Sequence, residues 1–148
     1  MADVQVRFQR LGHNPALPLP SRATEGAAGY DVRAAEAVVL EPGGTQAVST
    51  GLVVELPSGI EAQVRPRSGL ALREGVVVPN SPGTIDPDFR GELKVILMNL
   101  SSHPVAIARG DRVAQLVFAR FERPTVVETD AVEETDRGVG GFGSTGRS

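Results

Sequence analysis

Between Asn80 and Phe89 the chain carries an amide, a carboxylate and an aromatic ring within ten positions: Asn80, Asp86 and Phe89. An amide with nearby backbone N–H and C=O groups can read the edge of a flat polar ligand while a ring covers its face. A carboxylate ionised at neutral pH can accept a hydrogen bond from water and orient it. Each residue type also has a purely structural use. Asn80 and Gly83 suit a turn, through Asx bonding or positive φ. Asp86 can close a loop on backbone N–H groups, and Phe89 can fill a core.

Two further stretches carry chemistry. Arg65-Pro66-Arg67-Ser68-Gly69-Leu70 sets two guanidinium groups, a hydroxyl and a glycine ahead of a predicted helical turn. Free N–H groups there favour an anion; the same string also reads as an exposed basic turn with Ser68 as helix N-cap. The last stretch, Glu128 to Ser148, holds five glycines around Arg137, Phe142, Ser144 and Thr145. Glycines let backbone N–H groups approach phosphate oxygens closely. The segment lacks the lysine and the strand–helix context of a Walker loop, which excludes that reading. It is either a flexible tail or a mobile arm that closes over a phosphate ester, since it has too few apolar side chains for a core element.

Short β-runs must position these residues. Val4 to Phe8 alternates as a first strand, and Asn14 to Pro20, with three prolines, is an extended connector. Ala27 to Val32 enters a second strand through Gly29. Val38 to Leu40, Thr45 to Leu56 and Ile60 to Arg65 follow, separated by Glu41-Pro42-Gly43-Gly44 and Pro57-Ser58-Gly59. Ser68 to Glu74 is the one predicted helical turn. Val76 to Val78 and the alternating run from Glu92 bracket the Asn80–Phe89 segment as a hairpin. Val105 to Ala108, a turn at Arg109-Gly110-Asp111 and a strand from Arg112 to Phe121 complete the order. This spacing, without a long amphipathic helix, argues an all-β barrel or sandwich.

At 148 residues the chain fits one domain, and 41% hydrophobic with 22% charged residues is a soluble globular balance. No apolar run approaches the ~18 residues of a membrane span, and the N-terminus lacks the apolar core of a signal peptide. Zero cysteines rule out disulfides and thiolate metal sites and fit a reducing cytoplasm. His13 and His103 are far apart in sequence, which argues against a histidine metal cluster. A net charge of −3 argues against general nucleic-acid binding. Fourteen of the fifteen basic residues are arginine, Lys94 being the exception. The planar guanidinium fork suits a local phosphate site.

With these pieces in order, the sequence resembles the trimeric dUTP pyrophosphatases (dUTPases) over nearly its full length. Five motifs carry the resemblance: Ala28-Gly29-Tyr30-Asp31-Val32, Pro66-Arg67-Ser68-Gly69-Leu70-Ala71, Asn80 through Arg90-Gly91-Glu92, Gly110-Asp111-Arg112-Val113-Ala114-Gln115-Leu116, and Arg137-Gly138 through Gly146. Any one of them arises by chance; five at compatible spacing are specific. The resemblance implies a jelly-roll-like β domain over residues 1–127 and a C-terminal arm over 128–148. It also implies a homotrimer whose active sites are assembled from three chains, the arm closing on a neighbour's site. The implied reaction is dUTP plus water to dUMP and pyrophosphate, with Mg²⁺ on the triphosphate, which keeps uracil out of DNA and supplies dUMP for thymidylate synthesis.

Carried over residue by residue, Asp86 would orient and deprotonate the attacking water. Asn80, with Gly83, Thr84 and Ile85 beside it, would read the uracil edge, a pattern that leaves buried groups unpaired when cytosine enters. Arg67, Ser68, Gly69 and Gln115 would hold the triphosphate, and Lys94 joins the substrate-binding set. Arg137, Gly143, Ser144 and Thr145 would close on the outer phosphate, with Phe142 stacked over the uracil. Asp31 would support the metal's water shell or the phosphate site. One residue departs from the pattern: the family usually has tyrosine where this chain has Phe89, the ring that packs on deoxyribose and excludes a 2′-hydroxyl. Phenylalanine keeps the apolar face and loses the phenol's hydrogen bond. Two rivals differ in class. A dCTP deaminase shares the fold and an Ile-Asp-Pro-x-Phe string like Ile85 to Phe89, but the Gly-Tyr-Asp motif and the glycine-rich arm favour the pyrophosphatase. A non-catalytic nucleotide sensor predicts a lost base or lost phosphate ligands, whereas Asp86, Ser68, Gln115 and Arg137 are all present.

Overall fold

The computed structural model describes residues 3–14 and 16–148. Met1, Ala2 and Pro15, the last belonging to the predicted extended connector, lie outside the described residues. Among the described residues the chain forms ten strands and one short helix, and every strand pairing is antiparallel. One sheet runs β1 (Arg7–Arg10), β4 (Thr45–Glu55), β8 (Glu92–Asn99) and β6 (Val76–Val77) in that order. The second runs β2 (Tyr30–Arg33), β10 (Arg112–Arg120), β5 (Ile60–Arg65) and β7 (Gly83–Ile85). A small third sheet pairs β3 (Val38–Leu40) with β9 (Val105–Ile107). The fold is all-β, as the turn spacing implied, and jelly-roll-like, as the resemblance implied.

Alternation builds the sheets. In β8, Leu93, Val95, Leu97 and Asn99 are buried while Lys94 is exposed, and in β5 Ile60, Ala62 and Val64 are buried. These residues meet Val32, Val48, Val54, Ile85 and Leu116 in one core. Each such aliphatic side chain removed from water contributes about 1.5–3 kcal/mol. Asn99 is buried among them without penalty, because its Nδ2 donates to the Leu40 and His103 carbonyls and its Oδ1 accepts from the Ser101 N–H.

Three expectations about the elements need correction. The first strand begins at Arg7, not Val4. Its partner β4 ends at Glu55, opposite Arg7, and turns away at Pro57, so Val4 to Val6 have no ladder to join. The second strand begins at Tyr30, because the Ala27 N–H is taken by the Thr24 carbonyl in a turn. The central hairpin does pair, Val76 with Asn99 and Val77 with Met98. Its presumed loop, however, contains β7, which crosses to the second sheet and pairs Gly83 with Val64 and Ile85 with Ala62. The predicted helix forms over Ser68–Glu74 (α1) and ends on Gly75, whose φ of 68° is left-handed and whose N–H bonds back to Ala71 and Leu70.

Candidate active site

The Asn80–Phe89 segment builds a cavity of about 340 Å³ against the first sheet. Asn80, Gly83, Thr84, Ile85, Asp86, Phe89, Glu92 and Lys94 supply its rim, over an apolar floor of Ala47, Val64, Leu93 and Ile96. The predicted base-reading residues, the carboxylate, the ring and the lysine thus come together. Their placement follows from β7. Pairing with β5 sets Gly83 so close to Val64 that a Cβ there would stand 3.0 Å from the Asn80 amide nitrogen and 3.3 Å from Val64 Cβ. Glycine is what lets the Asn80 amide lie along the strand. Beyond Ile85 the chain turns, with the Phe89 N–H donating to the Asp86 carbonyl at 3.2 Å. The Asp86 carboxylate is exposed at this turn and also borders a cavity of about 600 Å³ lined by Ser58, Arg90, Phe121 and Arg123.

Arg67, Ser68, Gly69, Gln115 and Asp31 form a second recess of about 430 Å³, with Arg65 and Arg112. Strand register explains the meeting: Gln115 pairs with Asp31 on one side and with Arg65 on the other. The Gln115 amide donates to the Pro66 carbonyl at 3.0 Å, holding the turn that leads into α1. Gly29 leaves room for that side chain, since a Cβ there would overlap Gln115 Oε1 at 2.0 Å. The helix N-cap is Arg67, and no side chain caps the helix. The alternative use of Ser68 as N-cap is therefore not realised, and Ser68 lines the recess instead.

Asp31 is engaged by two cations. Its Oδ1 lies 3.4 Å from Arg67 Nε and its Oδ2 3.2 Å from Arg112 Nη1. With its side chain 17% exposed, this carboxylate fixes the two guanidinium groups at the mouth of the recess. Among the described residues no group of three or more His, Cys, Asp or Glu could hold a metal ion. Among the described residues, Asp31 is the one carboxylate lining the arginine recess. Such a donor set suits Mg²⁺ that arrives on phosphate oxygens and keeps most of its water, since this ion binds through few carboxylates plus phosphates.

The glycine-rich segment does not join either recess of its own chain. Residues 128–148 form no strand or helix, and among the described residues their hydrogen bonds stay within the segment. Arg137 Nε donates to the Gly140 carbonyl at 2.8 Å, and Gly143, Ser144 and Thr145 are exposed. Phe142, at a φ of 50°, is fully exposed.

Two residues of these sites had no role assigned from sequence. Arg112 follows the Gly110-Asp111 turn directly, and its pairing with Asp31 spans 81 positions. Glu92 sits at the start of β8, and its carboxylate meets His13 across 79 positions. Charge type alone could have flagged Arg112; nothing local announces the bond to His13.

The all-β fold thus carries an arginine-lined recess and a separate pocket that holds an amide, a carboxylate and an aromatic ring. A model of the dUTPase family matches residues 16–146. The deoxyuridine 5'-triphosphate nucleotidohydrolase of Methylocella silvestris is 53% identical over 95% of this chain and 91% of its own length. That of Zymomonas mobilis is 50% identical over 97% of this chain and 98% of its own. The chain belongs to the dUTPase family, as its five motifs implied. Among solved structures, the dUTPase of Staphylococcus bacteriophage 80alpha with dUPNHPP superimposes with a TM-score of 0.85 at 27% identity, covering 97% of this chain and 99% of that one. No helix among the described residues is long and apolar enough to cross a membrane.

Proposed function

We propose that this chain hydrolyses dUTP to dUMP and pyrophosphate. Water forms the new O–P bond at the α-phosphorus, the bond from that phosphorus to the α,β-bridging oxygen breaks, and pyrophosphate leaves. Asp86 orients the water and accepts its proton. Asn80 and the backbone of Gly83 to Ile85 read the uracil edge. Phe89 packs on the deoxyribose, and Arg67, Ser68, Gly69 and Gln115 hold the phosphates. Mg²⁺ carried on the triphosphate, with Asp31 supporting its water shell, would supply charge neutralisation. Positioning supplies most of the remaining acceleration.

The observation that carries this reading is the division of the site. Base-reading and water-orienting groups line one recess, phosphate-holding groups another, and the glycine-rich arm neither. A homotrimer resolves the division: one subunit offers the Asn80–Lys94 pocket, a second the Arg67–Gln115 recess, and a third the arm with Arg137, Phe142, Gly143, Ser144 and Thr145. Residues 1–127 then act as the β domain and 128–148 as the closing arm. In the cell such an enzyme keeps uracil out of DNA and supplies dUMP for thymidylate synthesis. The test offers dUTP, UTP, dTTP and dCTP separately with Mg²⁺ and analyses the products. Release of dUMP and pyrophosphate from dUTP alone is expected; ammonia from dCTP, or no turnover, would overturn the reading.

A further inference from the structure

Glu92 stands outside the chemistry assigned so far, yet it is the most heavily bonded carboxylate near the deoxynucleoside pocket. Strand β4 bulges between Ser49 and Leu52 where it faces β8, and a bulge leaves backbone groups without ladder partners. Glu92 Oε1 takes up this deficit. It accepts from the Gly51 N–H at 3.0 Å and from the Ser49 hydroxyl, and His13 Nε2 lies 2.6 Å away. His13 Nε2 is also 2.8 Å from Ser49 Oγ, so the segment just after β1, the bulge and the start of β8 meet at one oxygen. The other oxygen, Oε2, lies 3.9 Å from Lys94 Nζ on the pocket wall. The loop bearing Asp86 and Phe89 hangs from this strand start, with Gly91 the only residue between Arg90 and Glu92.

The geometry points to His13 and Glu92 as a positioning pair for the known pocket: a clamp, anchored outside it, that sets where Phe89 and Lys94 stand and so sharpens the choice of deoxyribose over ribose. His13 does not line the pocket, so its effect passes through Glu92. The inference rests on the proposed dUTP-hydrolysing reading only for the identity of the ligand. Freeing Glu92 from His13 lets the strand start and its loop shift against the core, and the cost falls on sugar discrimination more than on stability.

The experiment compares wild type, His13→Ala and His13→Gln by calorimetric binding of dUMP and UMP, with melting temperature recorded alongside. Glutamine retains a donor able to reach the carboxylate. His13→Ala is expected to narrow the dUMP-over-UMP preference about fivefold, and His13→Gln to restore most of it. An unchanged preference in His13→Ala, with or without a lower melting temperature, would overturn the clamp. Equal loss of both ligands would do the same. Wild-type turnover of dUTP is scored separately. Its absence with dUMP still preferred sinks the hydrolytic reading and leaves the clamp standing, whereas binding of neither nucleotide sinks both.

Discussion

The ring of Phe89 lies over Gly91, in the space a side chain would need: a Cβ on Gly91 would stand 2.6 Å from Phe89 Cζ and 2.8 Å from Cε2. Phe89 as a residue is 44% exposed and so has little else to hold it. Gly91→Ala is therefore expected to swing the ring off its place and to lower the dUTP-over-UTP ratio of kcat/KM about tenfold. Steady-state kinetics on both nucleotides check this. An unchanged ratio would mean that the ring does not govern sugar choice.

Asp86 is exposed at a turn, and its proposed task is confined to the attacking water. Asp86→Asn keeps the shape and removes the base. Binding of dUMP is expected to stay within about twofold while dUTP turnover falls by roughly 10²–10⁴. Parallel loss of binding and turnover would instead make Asp86 a ligand for the nucleotide.

Asp31 pairs with both Arg67 and Arg112. Two effects of Asp31→Asn oppose each other: a negative charge leaves the anion recess, and two guanidinium groups lose their anchor. Loss of position is expected to win, raising KM for dUTP about tenfold with a smaller change in kcat. Tighter binding, seen as a lower KM, would show that Asp31 acts only as a repelling charge.

Residues 128–148 bond only among themselves, the segment after Asp136 reaching back no further than Thr135, so removal of that segment leaves the β core intact. A chain ending at Asp136 is expected to keep its circular dichroism and its oligomeric state by sedimentation, and to lose most dUTP turnover. A truncated protein that unfolds or dissociates would give the arm a structural role.

Glu92 is held below the ordinary carboxylate value of 4.5. Burial raises it, but hydrogen bonds from Ser49, His13 and the Gly51 N–H more than offset that. A folded-state value below the unfolded one stabilises the fold fully above about pH 4.5, and this contribution is lost as pH falls through the folded value. Glu55 shifts the same way, through its hydrogen bond from Arg7, but that pair is at the surface and is screened by salt. Denaturant unfolding at high ionic strength, from pH 6 down to about pH 3, is expected to show a steeper loss for wild type than for Glu92→Gln. Equal slopes would remove Glu92 from the acid sensitivity.

Local physics made much of this fold legible. The alternation of β5 and β8, the Gly/Pro separators, and Ser68–Glu74 ending on Gly75 are each determined by residues within a few positions. Strand β7 was not legible, because Gly83, Thr84 and Ile85 are too few to show a period and become a strand only beside β5. The start of β1, Arg7, depends on where β4 ends, at Glu55, 48 residues later. The same limit applies to the sites. Asn80, Asp86 and Phe89 announce themselves by type and proximity, whereas the links of Asp31 to Arg112 and of Glu92 to His13 exist only once the sheets have assembled.

Lys94, half exposed on the wall of the pocket, is the only lysine in the chain. Amine-directed labelling of this protein is therefore close to a single-site reaction, the chain's α-amino group being the other candidate. An acylating reagent reads the accessibility of one known ammonium, and protection of that amine by a ligand reports occupancy of the pocket without any substrate being turned over. The near-exclusive use of arginine thus makes the native chain its own chemical reporter, with no engineered label needed.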